Sequence, residues 1–168
     1  ERIIMVHITV TVRVCNKEIS LLILRHTAND GAESSQLVSI GNFAFSGCVK
    51  MRTFTVPSKV TALNATAFFR NTAMMAFDVQ KGNTAFSAKD GVLFNITGST
   101  LVCYPAGLKG TYVVPENVKT VGDYAFACTR LSGVELSNVE TLGSAAFAYG
   151  SLESIVIPDS VISMGGSV

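Results

Sequence analysis

Ile40-Gly41-Asn42-Phe43-Ala44-Phe45 is the stretch that decides the fold, because close copies of it return three more times along the chain. Each copy begins with an aliphatic residue, commonly followed by glycine, and ends in Ala-Phe. The further copies are Leu63-Asn64-Ala65-Thr66-Ala67-Phe68, Val121-Gly122-Asp123-Tyr124-Ala125-Phe126 and Leu142-Gly143-Ser144-Ala145-Ala146-Phe147. A motif that recurs at such spacing is the signature of a repeat architecture, so the sequence predicts a stack of similar units.

The spacing of the copies locates an irregularity in the stack. Their final phenylalanines lie 23, 58 and 21 residues apart. The middle interval is too long for one unit and predicts an insertion, or one to two degenerate units. Asp90-Gly91 lies inside this interval, between apolar runs, and is a hairpin-turn signal.

Each proline marks the end of a strand-like stretch. All four prolines directly follow such a run, which suits a residue that cannot donate to a β-ladder. Three of them open the same Pro-x-x-Val-x-x-aliphatic spacing: Pro57, Val60, Leu63; Pro115, Val118, Val121; and Pro158, Val161, Met164.

A single unit cannot fold alone. About five apolar side chains, at about 1.5–3 kcal/mol each when buried, do not offset the ordering of about 22 residues at about 1–2 kcal/mol each. Stacking covers the apolar layer on both sides. We therefore expect Phe45, Phe68, Phe126 and Phe147 to form one internal ladder. Four glycines beside it are predicted to occupy turns with positive φ: Gly41, Gly122, Gly143 and Gly165.

The composition excludes several classes of protein. With 48% hydrophobic and 15% charged residues the chain of 168 residues is expected to fold, and its net charge of +1 gives no general attraction to nucleic acid. No apolar run is long enough to span a membrane and no signal peptide is recognisable, so direct membrane insertion by this segment is not expected. The cysteines are interpreted as small buried hydrophobic residues: Cys15, Cys48, Cys103 and Cys128.

Residues 1–36 lack the repeat. Val6 to Val14 alternates apolar and polar residues like a half-buried strand, and a turn at Asn16-Lys17 would fold Ile19 to Leu24 back as its hairpin partner. We predict that this segment caps the solenoid, with a divergent repeat as the alternative. Asn29-Asp30-Gly31 is predicted to be a loop. The solenoid is assigned to residues 37–168, with the insert at about 80–117, and its last unit stops before an Ala-Phe is due, as in a truncated array or a frayed last turn.

The sequence offers few residues for catalysis. His7 and His26 are the only histidines, so a His-rich zinc site cannot be built. Cys15 with His26 is the one conceivable thiol dyad, and nothing beside Cys15 indicates an activated nucleophile. We predict no enzyme activity, no cofactor and no metal.

At this point the residues resemble the BspA-like leucine-rich repeats of bacterial and protist surface proteins. The resemblance rests on the Ile-Gly-x-x-Ala-Phe units, on Ile155-Val156-Ile157-Pro158 and on Asp90-Gly91-Val92-Leu93-Phe94. It implies an α/β-type or mainly-β solenoid: a right-handed leucine-rich-repeat stack with short parallel strands on one face, few helices and a hairpin-like insert. It also implies a place at the cell surface or outside the cell, and adhesion without catalytic residues.

Side chains between the buried strand positions are the candidate binding face, because strands stacked in register present them in parallel columns. Their mixed charge favours a protein or peptide partner, such as an extracellular-matrix or cell-surface protein. The alternatives are a structural spacer that displays another domain, and a hydrolase. The candidate residues are Arg52, Thr53, Thr55, Met75, Asp78, Ser132, Glu135, Glu153 and Val156.

Overall fold

The computed structural model describes residues 6–14, 17–27 and 33–168, with side-chain surroundings from residue 36 onward. Within these residues the secondary structure is β-strand apart from one 3-10 helix, η1 (Ala65–Phe68). The strands are β1 (Val6–Val14), β2 (Lys17–Thr27), β3 (Glu33–Ser35), β4 (Thr53–Val56), β5 (Ala76–Val79), β6 (Phe86–Lys89), β7 (Val92–Asn95), β8 (Thr100–Cys103), β9 (Lys109–Val113), β10 (Thr120–Val121), β11 (Arg130–Glu135), β12 (Thr141–Leu142) and β13 (Ser163–Met164).

The repeat builds the predicted mainly-β solenoid, with parallel strands and about five turns. One line of parallel strands runs through β8, β10, β12 and β13, and Thr120 lies opposite Thr100 on one side and Thr141 on the other. A second line consists of the parallel pairs β4–β5 and β9–β11. Successive turns of the chain therefore contribute strands to two lines, although not every turn has a strand in both.

The predicted hairpin at the start of the chain is present. β1 and β2 pair antiparallel, from Val6 opposite Arg25 to Val14 opposite Lys17, and β3 extends this sheet along β2. The predicted role of this sheet as a cap stays a prediction. Cys15, Asn16 and the predicted loop at Asn29-Asp30-Gly31 lie outside the described residues.

The insert contains the predicted hairpin at Asp90-Gly91. β6 and β7 pair antiparallel, and Asp90 and Gly91 have φ of 52° and 77°, the pair of positive values that a two-residue type I′ turn requires. β7 pairs antiparallel with β8, which returns to the parallel line through β10. The Phe77 amide donates to the Gly91 carbonyl at 2.7 Å, so the tip of the hairpin occupies the edge of β5.

The expected single phenylalanine ladder is instead two stacked pairs. Phe45 and Phe68 have ring centroids 5.6 Å apart at an interplanar angle of 10°, and Phe126 and Phe147 are 5.1 Å apart at 9°. The pairs belong to two separate core clusters. Tyr104 extends the second pair, 5.2 Å from Phe126. The insert lies at the break. In the layer that follows it, Cys103-Tyr104 takes the place of Ala-Phe, because the Tyr104 amide donates to the Ala125 carbonyl as the Phe45 amide donates to the Ala67 carbonyl.

The prediction of positive φ at Gly41, Gly122, Gly143 and Gly165 is wrong. At Gly143 a Cβ would instead lie 2.5 Å from the Asp123 amide nitrogen of the preceding layer. Close approach between layers, rather than a left-handed turn, is therefore what requires glycine there. Many left-handed positions are held by larger residues, including Phe43, Arg70, Tyr124 and Tyr149.

Candidate binding surfaces

The nine residues predicted to bind a partner are all exposed. Five of them lie on or just before β4 and β5, two lie on β11, and two lie in the stretch that follows β12. The alternation behind the prediction is visible in β4, where Val56 is buried and its neighbour Thr55 is exposed. The nine are Arg52, Thr53, Thr55, Met75, Asp78, Ser132, Glu135, Glu153 and Val156.

The insert divides these residues into two groups. Thr55 lies directly opposite Asp78 across the β4–β5 pair. The hairpin tip at Gly91 then bonds to β5, and the strand order places β9 and β11 in a sheet of their own. The expected continuous columns are therefore interrupted, because the 58-residue interval inserts a hairpin between β5 and β9.

The second group borders an open groove, which we call the strand groove, with a volume of about 470 Å³. One wall is β11 with Ser132 and Glu135, and the other is the segment with Ile155 and Val156. The Ser151 amide donates to the Thr129 carbonyl at 3.0 Å. Beyond that bond, no described backbone hydrogen bond joins residues 152–157 to β11, so the edge of β11 that faces the strand groove is unpaired.

A β-bulge sets the direction of Ser132. The pairing register of β11 with β9 shifts between Leu131 and Gly133, which leaves Ser132 as the extra residue. Bulges bend a strand and change where a side chain points. Val156 on the opposite wall is 83% exposed, so its side chain is accessible to a partner in the groove.

An aromatic surface on the turns was missed by the sequence reasoning. Phe69 makes edge-to-face contacts with three rings, and their centroids lie 6.0 Å from it for Phe43, 6.4 Å for Tyr124 and 5.4 Å for Tyr149. Phe43 is 57% and Tyr149 73% exposed. We call these four residues the aromatic strip. Phe43 and Tyr124 directly precede the Ala-Phe of a motif, and Phe69 and Tyr149 follow it within two residues. Their only signal in the sequence was an aromatic residue where the repeat does not need one.

Backbone conformation places three of these rings. Phe43, Tyr124 and Tyr149 have φ of 60°, 56° and 60°, in the left-handed region that costs a residue with a Cβ about 1–2 kcal/mol. Phe69, which directly follows η1, has a φ of −52° and so lacks this strain. The aromatic strip is thus a product of the turns, not of the strands on which the prediction concentrated.

The described residues contain no group of three or more His, Cys, Asp or Glu side chains that could hold a metal ion.

Burial raises the pKa of the Cys103 thiol to about 12, which leaves it protonated and unreactive near neutral pH. Cys48, Cys103 and Cys128 are buried, as interpreted. Cys103 and Cys128 are free, whereas Cys48 is disulfide-bonded. Cys15 and the side chains of His7 and His26 lie outside the described residues.

The described residues include no helix that could cross a membrane.

The fold and its exposed surfaces together define a class, the solenoids built from short parallel-strand repeats. Within that class, the model of the BspA type leucine rich repeat region matches residues 32–100 and 108–168 in six copies. The chain belongs to this family, as the resemblance implied. The family is typically non-catalytic.

Solved structures give the same answer for the fold. A leucine-rich repeat protein from Eubacterium ventriosum superposes with a TM-score of 0.69 at 29% identity, over 76% of this chain and 35% of its own. The pneumococcal vaccine antigen PcpA superposes with a TM-score of 0.67 at 27% identity, over 78% of this chain and 39% of its own.

A third structure, a leucine-rich cell surface protein from Faecalibacterium prausnitzii, has a TM-score of 0.54 at 19% identity, over 78% of this chain and 39% of its own. It is similar in fold alone. The chain therefore spans well under half the length of these three solved structures. No curated protein matches the chain.

Proposed function

We propose that this chain is a non-catalytic scaffold at the cell surface that binds a partner protein through its outward strand face. The observation that carries the proposal is the strand groove: Ser132, Glu135 and Val156, all selected from the sequence as binding residues, line one open groove beside the unpaired edge of β11. An extended segment of a partner fits such a place.

Strand addition explains how this groove would hold a partner. An extended peptide pairs its backbone with an open strand edge, and its alternate side chains select for the flanking surface. Here the unpaired backbone of β11 supplies the ladder, Ile155 and Val156 supply an apolar wall, and Glu135 supplies a charge. This mode needs neither a deep pocket nor a catalytic group.

Support for a surface location comes from the relatives. PcpA, at 27% identity, is a vaccine antigen. The chain also belongs to the BspA type repeat family, and its fold matches those of bacterial cell-surface proteins. An extracellular-matrix or cell-surface protein is therefore the class of partner that we propose. Adhesion to a host or neighbouring cell is the activity that such binding would serve.

The test measures binding of the whole chain to a panel of purified extracellular-matrix and cell-surface proteins by biolayer interferometry. We expect at least one partner whose affinity falls about tenfold or more in Val156→Asp, the magnitude of a central interface residue. The matched control is Ile162→Asp, because Ile162 is also apolar and 82% exposed but lies beside β13.

Two outcomes would contradict the proposal. Absence of binding across the panel would favour the structural spacer. Equal loss of affinity in Val156→Asp and Ile162→Asp would show that the strand groove is not the binding surface. A parallel screen with general hydrolase substrates and the His26→Ala variant addresses the enzyme alternative, which requires activity that this variant abolishes.

A further inference from the structure

A second open groove, of about 500 Å³, lies on the turns of the solenoid. We call it the arginine groove, and its principal lining residues are Val49, Arg70, Thr129, Arg130, Tyr149 and Ser151. It shares no lining residue with the strand groove. With Thr72 and Cys128, which also line it, its wall combines two guanidinium groups, four hydroxyl-bearing side chains, one of them the aromatic Tyr149, a thiol and an aliphatic side chain.

The charge of the arginine groove is uncompensated. No acidic residue lines it, and neither arginine has an ion pair within the part of the chain that the structure describes. Lys109 lies directly opposite Arg130 across the β9–β11 pair. Like charges at opposed positions repel each other, and Lys109, which is exposed but does not line the groove, has no ion pair among the described residues either.

The groove also holds a polar group that lacks a partner. Thr129 is 1% exposed, and its Oγ1 has no hydrogen-bond partner among the described residues. Buried hydroxyl groups normally have one. Thr129 lines the arginine groove, so its unpartnered hydroxyl adds a polar group to the wall of the groove.

Arg70 is held in place before any ligand arrives. Its Cζ lies 5.6 Å from the centroid of the Phe69 ring, a cation–π distance, and Phe69 in turn contacts Tyr149 edge to face. Arg70 and Tyr149 have φ of 62° and 60°, at the turn position where the first layer has Gly47 with φ of 73°. Cys128 holds the same position after the third motif, with φ of 60°, so three of the four motifs place a residue larger than glycine there. All three of these side chains line the arginine groove.

We propose that the arginine groove binds an acidic, extended segment of a partner protein. The Arg70 and Arg130 guanidinium groups bind carboxylates, for which their paired donors are suited. Tyr149 and Val49 receive an apolar side chain between the acidic ones. The mixed lining favours a peptide over a small anion, which would leave the tyrosine and valine uncovered. The inference rests on the proposed function for the class of partner. It places the binding at a different surface, and it requires the bound segment to be negatively charged.

The test is fluorescence anisotropy of the whole chain with a fluorescein-labelled peptide in which glutamate alternates with serine around a central leucine. A twin peptide carries glutamine in place of every glutamate. We expect the acidic peptide to bind, the twin to bind at least about tenfold more weakly, and added salt to weaken the acidic peptide's binding, since exposed charges are screened.

Variants separate the groove from general attraction by charge. The double variant Arg70→Gln with Arg130→Gln should weaken binding by about tenfold or more. The control, Lys59→Gln with Lys81→Gln, removes the same charge from other exposed positions and should have little effect. Tyr149→Gly should weaken binding without loss of stability, because glycine is the residue at this turn position in the first layer.

Three results would overturn the proposal: no binding of the acidic peptide, equal binding of its glutamine twin, or equal loss in the two double variants. Binding of a heparin oligosaccharide but not the peptide, with sensitivity to the arginine variants, would overturn it in favour of a glycan. Val156→Asp should leave peptide binding unchanged, so this proposal and that of the strand groove fail separately.

Discussion

Phe126 has the most completely enclosed ring of the second core cluster. It is 0% exposed and lies between Tyr104 and Phe147, whose ring centroids are 5.2 Å and 5.1 Å away. Tyr104, Phe126 and Phe147 belong to three successive turns of the solenoid, so the Phe126 ring packs against both the turn before it and the turn after it. Removal of the ring would leave a cavity that layers held by backbone hydrogen bonds could close only in part.

We expect Phe126→Ala to lower the free energy of unfolding by about 3–5 kcal/mol. Urea denaturation followed by circular dichroism measures this change. Phe43→Ala is the control, because Phe43 is 57% exposed and its loss should cost less than about 1 kcal/mol. Similar values for the two variants would contradict the role given to Phe126.

Glycine residues test the close approach of the layers. Gly143→Ala should destabilise the chain by about 1–3 kcal/mol, because the added Cβ would lie 2.5 Å from the Asp123 amide nitrogen. Gly41→Ala should be neutral, since nothing lies within 4 Å of a Cβ there. The two thermal unfolding midpoints compare the variants directly, and a neutral Gly143→Ala would refute the packing argument.

Two titratable side chains lie on β8 and β9, where the insert rejoins the stack: Cys103, which is buried, and Tyr112, which is partly buried. Cys103 ends β8, and burial raises the pKa of its thiol from 9.0 to about 12. Tyr112 lies in β9, where burial, with the charges of Tyr104 and Asp90 adding to it, raises its pKa from 10.0 to about 12. Both groups resist ionisation only while these strands stay packed.

Stability should therefore fall in alkali. The unfolded chain loses these protons above about pH 9 for Cys103 and about pH 10 for Tyr112, whereas the folded chain keeps them. The stabilisation from both groups is complete below about pH 9 and lost progressively toward about pH 12. Urea denaturation across this range measures the loss. Cys103→Ala should delay its onset to about pH 10, and an unchanged onset in that variant would contradict the assignment.

At the scale of the whole molecule, the features that repeat could be predicted from the sequence. The Ala-Phe motifs and the proline spacing predicted a stack of similar units, and Asp90-Gly91 predicted the hairpin, because each signal is local or periodic. The parallel direction of the strands was implied by the resemblance to the BspA-like repeats. The 58-residue interval revealed that an insert exists. It could not reveal that the tip would bond to Phe77 in β5, since that contact depends on how the layers assemble.

The same limit applies to the candidate surfaces. Alternation identified exposed positions such as Ser132 and Val156, whose binding role stays a prediction. It could not identify the aromatic strip, because Phe69 and Tyr149 meet across layers that are far apart in sequence. Nor could it find the arginine groove, where Arg70 and Arg130 come from different repeats. Contacts between non-adjacent layers have no period that a single sequence displays.

The hairpin at Asp90-Gly91 has an evolutionary consequence. By occupying the edge of β5, it leaves the β4–β5 pair and the β9–β11 pair without a shared ladder. The two halves still meet at the turns, through the aromatic strip and the arginine groove. Substitutions can therefore alter the outward strand face of one pair more freely than the turn contacts that join the halves.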